Sequence, residues 1–219
     1  MLRRNASHAF ALLGGCLLVL ASMAATPAIN PHTGHPDPDS GAELIGTPAP
    51  PWAFDRWVRG GPLSLDKLRG KVVLVRWWTE GCHFCESTLP AIERLQREHP
   101  NDLVVVGVFH PKPPHAVSNA HVLEVASELG FDGPIAFDGH WKTLERYWLD
   151  GHPERNWTSV SFLIDKGGVI RWVHGGGEYH PTDDPRHARC DVQYKELEAA
   201  LGQALAAAAQ PGKQAAKKL

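Results

Sequence analysis

The sequence predicts an α/β fold with a mixed central sheet covered by helices on both faces. Three observations carry this expectation. Residues 103–109 form a continuous apolar run and Val72–Trp78 a strong apolar strand, as expected of strands buried on both faces. Segments with helix spacing alternate with these strands. Two late apolar runs, 160–165 and 169–173, flank Lys166-Gly167-Gly168 and read as a β-hairpin with a glycine turn. Strand, helix, strand, helix, hairpin and closing helix is an order that layers helices against a sheet.

The 219 residues have room for one substantial domain plus appendages. Arg3 and Arg4 precede an apolar run over 9–21, and Ser22-Met23-Ala24 offers the small residues a signal peptidase reads. Residues 1–24 are therefore expected to be a signal peptide that sends the chain to a periplasm or bacterial cell envelope. Alternatives remain open. Leu13-Gly14-Gly15-Cys16 loosely resembles a lipoprotein box, the run could serve as an uncleaved anchor although it is shorter than the ~20 residues of a usual span, and Arg3-Arg4 is a weak twin-arginine signal. Membrane contact is expected only through this segment. Residues 25–43, rich in Pro, His, Asp and Gly, read as a flexible spacer.

The folded domain is expected over 44–209. Gly46-Thr47-Pro48-Ala49-Pro50-Pro51-Trp52 is a stiff, extended lead-in, and residues 63–71 a short turn of helix feeding the strand Val72–Trp78. Leu89, Ile92 and Leu95 give residues 87–98 a helical apolar face, with Pro90 as a kink. Residues 119–129 are a helix with Val122, Val125, Ala126 and Leu129 on one face and Gly130 as its stop. Ile135–Phe137 is a short strand, 141–148 a short helix, 175–190 a polar loop and 192–209 an Ala-rich closing helix. Residues 210–219 form a basic tail.

Cys82-His83-Phe84-Cys85 stands where the strand Val72–Trp78 hands over to a helix. Residues three apart are neighbours on one helix face, within the Cα–Cα range that a disulfide bridges. A helix N-terminus supplies N–H groups and the positive end of the dipole, which favour thiolate over thiol. The pattern reads as a dithiol that opens and closes. Four cysteines are too few for a disulfide-stapled scaffold, and no second CxxC completes a four-cysteine zinc site. With a formal net charge of −2 and dispersed basic residues, nothing points to nucleic acid.

These features in order resemble the thioredoxin-like superfamily, specifically its exported TlpA/ResA-type thiol–disulfide oxidoreductases, over residues 45–205. The resemblance rests on Gly46-Thr47-Pro48-Ala49-Pro50, on Leu68-Arg69-Gly70-Lys71-Val72-Val73-Leu74-Val75 leading into Trp77-Trp78-Thr79-Glu80-Gly81-Cys82, on Pro90, and on Phe162-Leu163-Ile164-Asp165 with Gly168. It implies a thioredoxin-like fold, protein thiol and disulfide substrates, a redox partner protein and no cofactor. The reductive direction is favoured. Cys82 is implied as nucleophile and Cys85 as buried resolving thiol. His83, Phe84, Trp78, Glu80, Thr158 and Ser159 are expected to shape the site, with Trp78 as a wall and Trp77 turned to the opposite face. His83, if protonated, would stabilise the Cys82 thiolate and tilt the couple toward oxidation.

Three departures mark this chain. Ser159, preceded by Thr158, stands where the family usually carries a cis-proline opposite the disulfide. Arg76 stands where thioredoxins place an acidic proton acceptor, and an Arg cannot act as a base. Thr88 replaces a glutamate three residues past the second cysteine, leaving Glu80 and Glu86 as the nearest carboxylates. Arg76 is expected either to reach solvent near a strand end or to pair with a carboxylate such as Glu80 or Asp138.

Two other functions compete. Thr79-x-x-Cys82 matches half of a peroxiredoxin signature, but Val75 and Ser159 occupy the positions of its proline and its activating arginine. A copper-binding or delivery module is the other, although such proteins usually space their cysteines CxxxC. Thirteen histidines invite a metal reading, and His187-x-x-Cys190 has ligand spacing. No cluster shows a full ligand set, so the histidines are expected to be scattered over the surface and no metal is assigned.

Overall fold

The computed structural model describes residues 40–208. The expected signal segment 1–24, Cys16, most of the 25–43 spacer and the 210–219 tail lie outside the described residues. Strands β1 (Arg56–Arg59), β2 (Val72–Trp78), β3 (Leu103–Phe109), β4 (Ile135–Phe137), β5 (Ser161–Ile164) and β6 (Ile170–His174) form one sheet in the spatial order β1-β4-β3-β2-β5-β6. β2, β3 and β4 run parallel, while β1, β5 and β6 pair antiparallel to their neighbours. The sheet is thus mixed, as the hairpin and the strand–helix alternation predict.

β2 is central because all seven of its residues are buried, and side chains alternate between the faces. Val72, Leu74 and Trp78 join one core cluster, whereas Val73, Val75 and Trp77 join the other. Helices α1 (His83–Glu98), α2 (Asn119–Glu128) and α4 (Ala188–Ala206) cover the first face through Leu89, Ile92, Val122, Ala126, Leu197 and Leu201. The second face is covered by α3 (Lys142–Leu144), the π-helical turn Glu145–Leu149 that continues it, and aromatic residues of the lead-in, Trp52 and Phe54. Helical cover is therefore present on both sides but unequal.

The lead-in lies along the outer edge of β6. Gly46 N–H donates to Ile170 O at 2.8 Å, Ile170 N–H to Thr47 O at 2.9 Å and Ala49 N–H to Gly168 O at 2.9 Å. An edge strand offers unpaired backbone groups, and this proline-bearing segment occupies them. Residues 64–71 make hydrogen-bonded turns, including Leu68 N–H to Ser64 O, rather than a helix.

Two further elements differ from the sequence expectation. β1 has no counterpart in it. Arg-Trp-Val-Arg is short and charged, and its arginines are held by tertiary partners: Arg56 caps the Phe137 ring at 3.5 Å and donates to Val117 O, and Arg59 donates to Phe131 O and Gly133 O. The closing helix begins at Ala188 rather than 192. It starts early because Asp184 accepts from Arg186 N–H and Pro185 opens a 3-10 turn that runs into it.

Gly107 of β3 is a packing requirement. A Cβ there would lie 2.7 Å from the Phe131 ring and 2.9 Å from Trp78 Nε1. Overpacking a closed core costs about 1–3 kcal/mol. Gly107→Ala is expected to lower the urea midpoint by that amount of stability with little change in the m-value.

Candidate active site

β2 delivers the chain to the sheet's carboxyl edge, and Gly81, with φ of 64°, turns it into α1. A left-handed φ at this corner suits glycine. Cys82 is the N-cap of α1, half-buried and without a side-chain capping bond, and Cys85 lies in the first turn, fully buried. The two are joined in a disulfide with Cα atoms 5.4 Å apart. Cys82 thus stands partly exposed at the positive end of the α1 dipole, and Cys85 faces the core.

Ser159 lies against the disulfide. Its Oγ is 3.5 Å from Cys82 Sγ and 4.0 Å from Cys85 Sγ. Its carbonyl points the other way, into the protein, and accepts from Arg76 Nη1 at 2.6 Å. Ser159 and Thr158 are both buried, and the half-buried Trp157 beside them packs on Phe84 with ring centroids 5.8 Å apart. Phe84 in turn touches the exposed His83 ring at 3.9 Å. Phe84, Trp157 and His83 thus make an aromatic rim next to Cys82. Trp157 was not singled out by the sequence; its proximity to Phe84 comes from the β5 approach loop.

Among the described residues Arg76 meets no carboxylate, and it does not reach solvent, contrary to both expectations. It is fully buried on the face of β2 that carries Trp78 and the α1 core. Nη1 donates to Ser159 O and, at 3.4 Å, to Ser161 Oγ; Nη2 donates to Gly177 O at 2.8 Å. The guanidinium stands 5.5 Å from the Tyr179 ring centroid, within cation–π range. Burial pulls its pKa below the ordinary arginine value, with Tyr179 acting in the opposite direction. Guanidinium nonetheless stays protonated in proteins, so a cation sits one residue behind the disulfide.

The segment after β6 completes the cradle. Tyr179 is fully buried, its hydroxyl shares a 2.7 Å hydrogen bond with Ser161 Oγ, and its N–H donates to Thr88 Oγ1 at 3.2 Å. Thr88 Oγ1 donates to Phe84 O at 2.8 Å. Thr88 is thus a buried fastener between α1 and this segment. Tyr179 and Gly177 carried no signal in the sequence, because a backbone carbonyl and a distant ring are recruited only by folding.

Other residues that the sequence singles out have partners of their own. Trp78 is fully buried with its ring edge-on to Phe109 at 4.9 Å, so it lies under the motif in the core shared with Cys85. Trp77 points to the opposite face, where its Nε1 donates to Asp138 at 3.2 Å. Glu80 is held by His121 at 2.6 Å and His115 at 3.5 Å. Its hydrogen bond raises the pKa of His121. His110 is buried; its Nδ1 lies 2.9 Å from Trp78 O, and burial pushes its pKa down to about 3 despite that bond. The histidines are not all scattered: His180 and His187 converge with Glu178 and Cys190. Burial, with the Glu178 carboxylate nearby, raises the Cys190 thiol to about 11.

Residues 45–189 match the family model described as Redoxin. Protein DipZ of Mycobacterium bovis is 32% identical over 124 residues, which is 56% of this chain and 17% of that protein. Thiol-disulfide oxidoreductase ResA of Halalkalibacterium halodurans is 26% identical over 120 residues, 55% of this chain and 62% of that one. The chain therefore spans less than two thirds of either relative. The crystal structure of a thiol-disulfide isomerase from Corynebacterium glutamicum matches with a TM-score of 0.55 and 24% identity, covering 73% of this chain and 98% of that one. At that identity the likeness establishes the fold, which is thioredoxin-like.

Two outcomes follow from the site. Arg76→Leu removes the donor from two buried carbonyls, each costing about 1–3 kcal/mol, and should show as a lower denaturant midpoint. It should also make the Cys82–Cys85 couple more reducing, because the charge that favours thiolate is lost. Equilibration with glutathione measures this, and Arg76→Lys should retain part of the potential. For His110, the folded pKa lies below the unfolded value, so the unfolded chain binds the extra proton between them. Its contribution to stability is complete above about pH 6.5 and declines as pH falls toward 3. Comparison of denaturation curves for the wild type and His110→Asn over that window isolates it.

Proposed function

The chain belongs to the redoxin family, and from that premise we propose that it is a thiol–disulfide oxidoreductase acting on disulfides of exported proteins. The observation that carries this reading is the Cys82–Cys85 disulfide at the start of α1, with Cys82 partly exposed, Cys85 buried, and Ser159 against both sulfurs. Export is supported by the pattern of residues 1–24, and a periplasm or cell envelope is where disulfide chemistry is expected.

In the reductive direction, Cys82 thiolate attacks one sulfur of a substrate disulfide, and the other substrate sulfur leaves as thiolate. Cys85 thiolate then attacks the Cys82 sulfur of the mixed disulfide, expelling the second substrate thiolate and forming Cys82–Cys85. Two protons taken from solvent leave the substrate as a dithiol. A redox partner protein restores the Cys82/Cys85 dithiol with two electrons. We favour this direction on the strength of the family resemblance. Arg76 works against it: a buried cation behind the sulfurs stabilises thiolate, hence the reduced enzyme, and makes the couple more oxidising than a neutral residue would.

The inward turn of the Ser159 carbonyl bears on substrate grip. That oxygen is occupied by Arg76, so a docked polypeptide is left with the Trp157–Thr158 edge and the aromatic rim of Phe84 and Trp157. Apolar residues flanking the substrate cysteine suit this rim.

Cys82→Ser is expected to abolish reduction of insulin disulfides, and Cys85→Ser to accumulate mixed disulfides visible on non-reducing gels. Full activity in the Cys82 variant overturns the proposal. Phe84→Ala should raise KM for a protein substrate while leaving the rate with a small disulfide such as oxidised glutathione within about twofold, since a single lost rim contact removes binding common to ground and transition states.

A further inference from the structure

Glu178, His180, His187 and Cys190 bring one ligand atom each to within 4.8 Å of one another, and thiol exchange makes no use of them. Glu178 Oε1 is 3.2 Å from His187 Nδ1, Oε2 is 3.6 Å from His180 Nε2, and Cys190 Sγ is 3.7 Å from His187 Nδ1. An ordinary carboxylate–imidazole ion pair would account for Glu178 and one histidine. It leaves a second imidazole and a buried thiol converging on the same carboxylate. His180 Nε2 is buried with no hydrogen-bond partner among the described residues, whereas Nδ1 of the same ring lies 3.3 Å from Pro181 O. A proton on Nδ1, donated to that carbonyl, sets the tautomer that leaves the Nε2 lone pair facing the cluster.

We propose that Glu178, His180, His187 and Cys190 form a four-coordinate site for a zinc-class divalent cation. One sulfur, two imidazole nitrogens and one carboxylate oxygen suit tetrahedral zinc, whereas calcium and magnesium require a shell of oxygens. On binding, the Cys190 proton passes to solvent. The thiolate and carboxylate then balance the dication, so the filled site carries no net charge. Cys190 sits in the first turn of α4 and His187 is that helix's N-cap, so the helix start supports the thiolate. Beyond the ligands, Ser87 of α1 donates from Oγ to Glu178 Oε2 at 3.0 Å. A bound ion would therefore clamp residues 178–190 to the helix that carries the cysteine pair, next to the Gly177 carbonyl that holds Arg76.

The test is cobalt(II) titration of the untagged full chain with Cys82–Cys85 oxidised, so that neither sulfur can bind metal. One cobalt per chain is expected, with tetrahedral visible bands and a near-ultraviolet thiolate charge-transfer band, both displaced by zinc. Cys190→Ser should lose the charge-transfer band, and the isosteric Glu178→Gln and His187→Ala should weaken binding. Ser87→Ala, which spares every ligand, should weaken it by about tenfold to a hundredfold. Near-ultraviolet circular dichroism verifies that each variant is folded. Absence of stoichiometric cobalt binding overturns the proposal, as does a charge-transfer band that survives Cys190→Ser or an affinity indifferent to Glu178 and His187.

Discussion

A buried, unneutralised guanidinium is the constraint around which the site is built. Arg76 lies in the central strand with no exposed surface and, among the described residues, no carboxylate partner. Burying a charge is costly unless its hydrogen bonds are met, and meeting them dictates where two other segments lie. The approach to β5 must present the Ser159 carbonyl, the segment after β6 must present the Gly177 carbonyl, and Tyr179 must set its ring within 5.5 Å. Hydrogen bonds to charged groups contribute about 1.5–3 kcal/mol each, so the two carbonyl bonds offset part of the desolvation only while both segments stay in place. The position of Ser159 against the sulfurs is thus tied to the charge beneath it.

This arrangement changes what the dithiol can do. A carboxylate at the position of Arg76 would serve as a proton acceptor; a guanidinium cannot, and instead supplies a fixed positive field. The α1 N-terminus adds a field of the same sign. Both effects favour thiolate, and so bear on the redox balance more than on proton transfer. On the proposed function, substrate contact is shifted to the rim, because the carbonyl of Ser159 is directed inward while Phe84, two residues from Cys82, packs with Trp157.

Much of this was legible in the sequence where the signal is local. β2, β3 and β4 fall on the predicted residues because uninterrupted apolar runs have few alternatives to a central strand, and α2 follows its apolar spacing to a stop at Gly130. The i, i+3 cysteines at a strand–helix junction announced the disulfide. The failures are equally physical. β1 is held by cation–π contact with Phe137 and by carbonyls from other elements, which no window of four residues records. Arg76 was expected to seek solvent or a carboxylate because those are a cation's commonest partners; two loop carbonyls served instead. The thin His187-x-x-Cys190 signal gained Glu178 and His180 only when the segment between β6 and α4 folded back on itself.

Local sequence carries the chemistry and the layers: a cysteine pair at a helix start, a mixed sheet, continuous apolar runs for the central strands, and a 3.6-residue apolar period that assigns the main helices their buried sides. Those properties follow from covalent spacing and backbone geometry, so they survive without knowledge of neighbours. Tertiary structure alone decided that Arg76 would lie under the disulfide, that Ser159 would turn its hydroxyl to the sulfurs and its carbonyl to the guanidinium, and that Trp157 would join Phe84 beside Cys82. The partners in each case stand about 70 to more than 100 residues apart along the chain. Such contacts are selected by the cost of leaving a buried polar group unpaired, and that cost arises only once the core has closed around it.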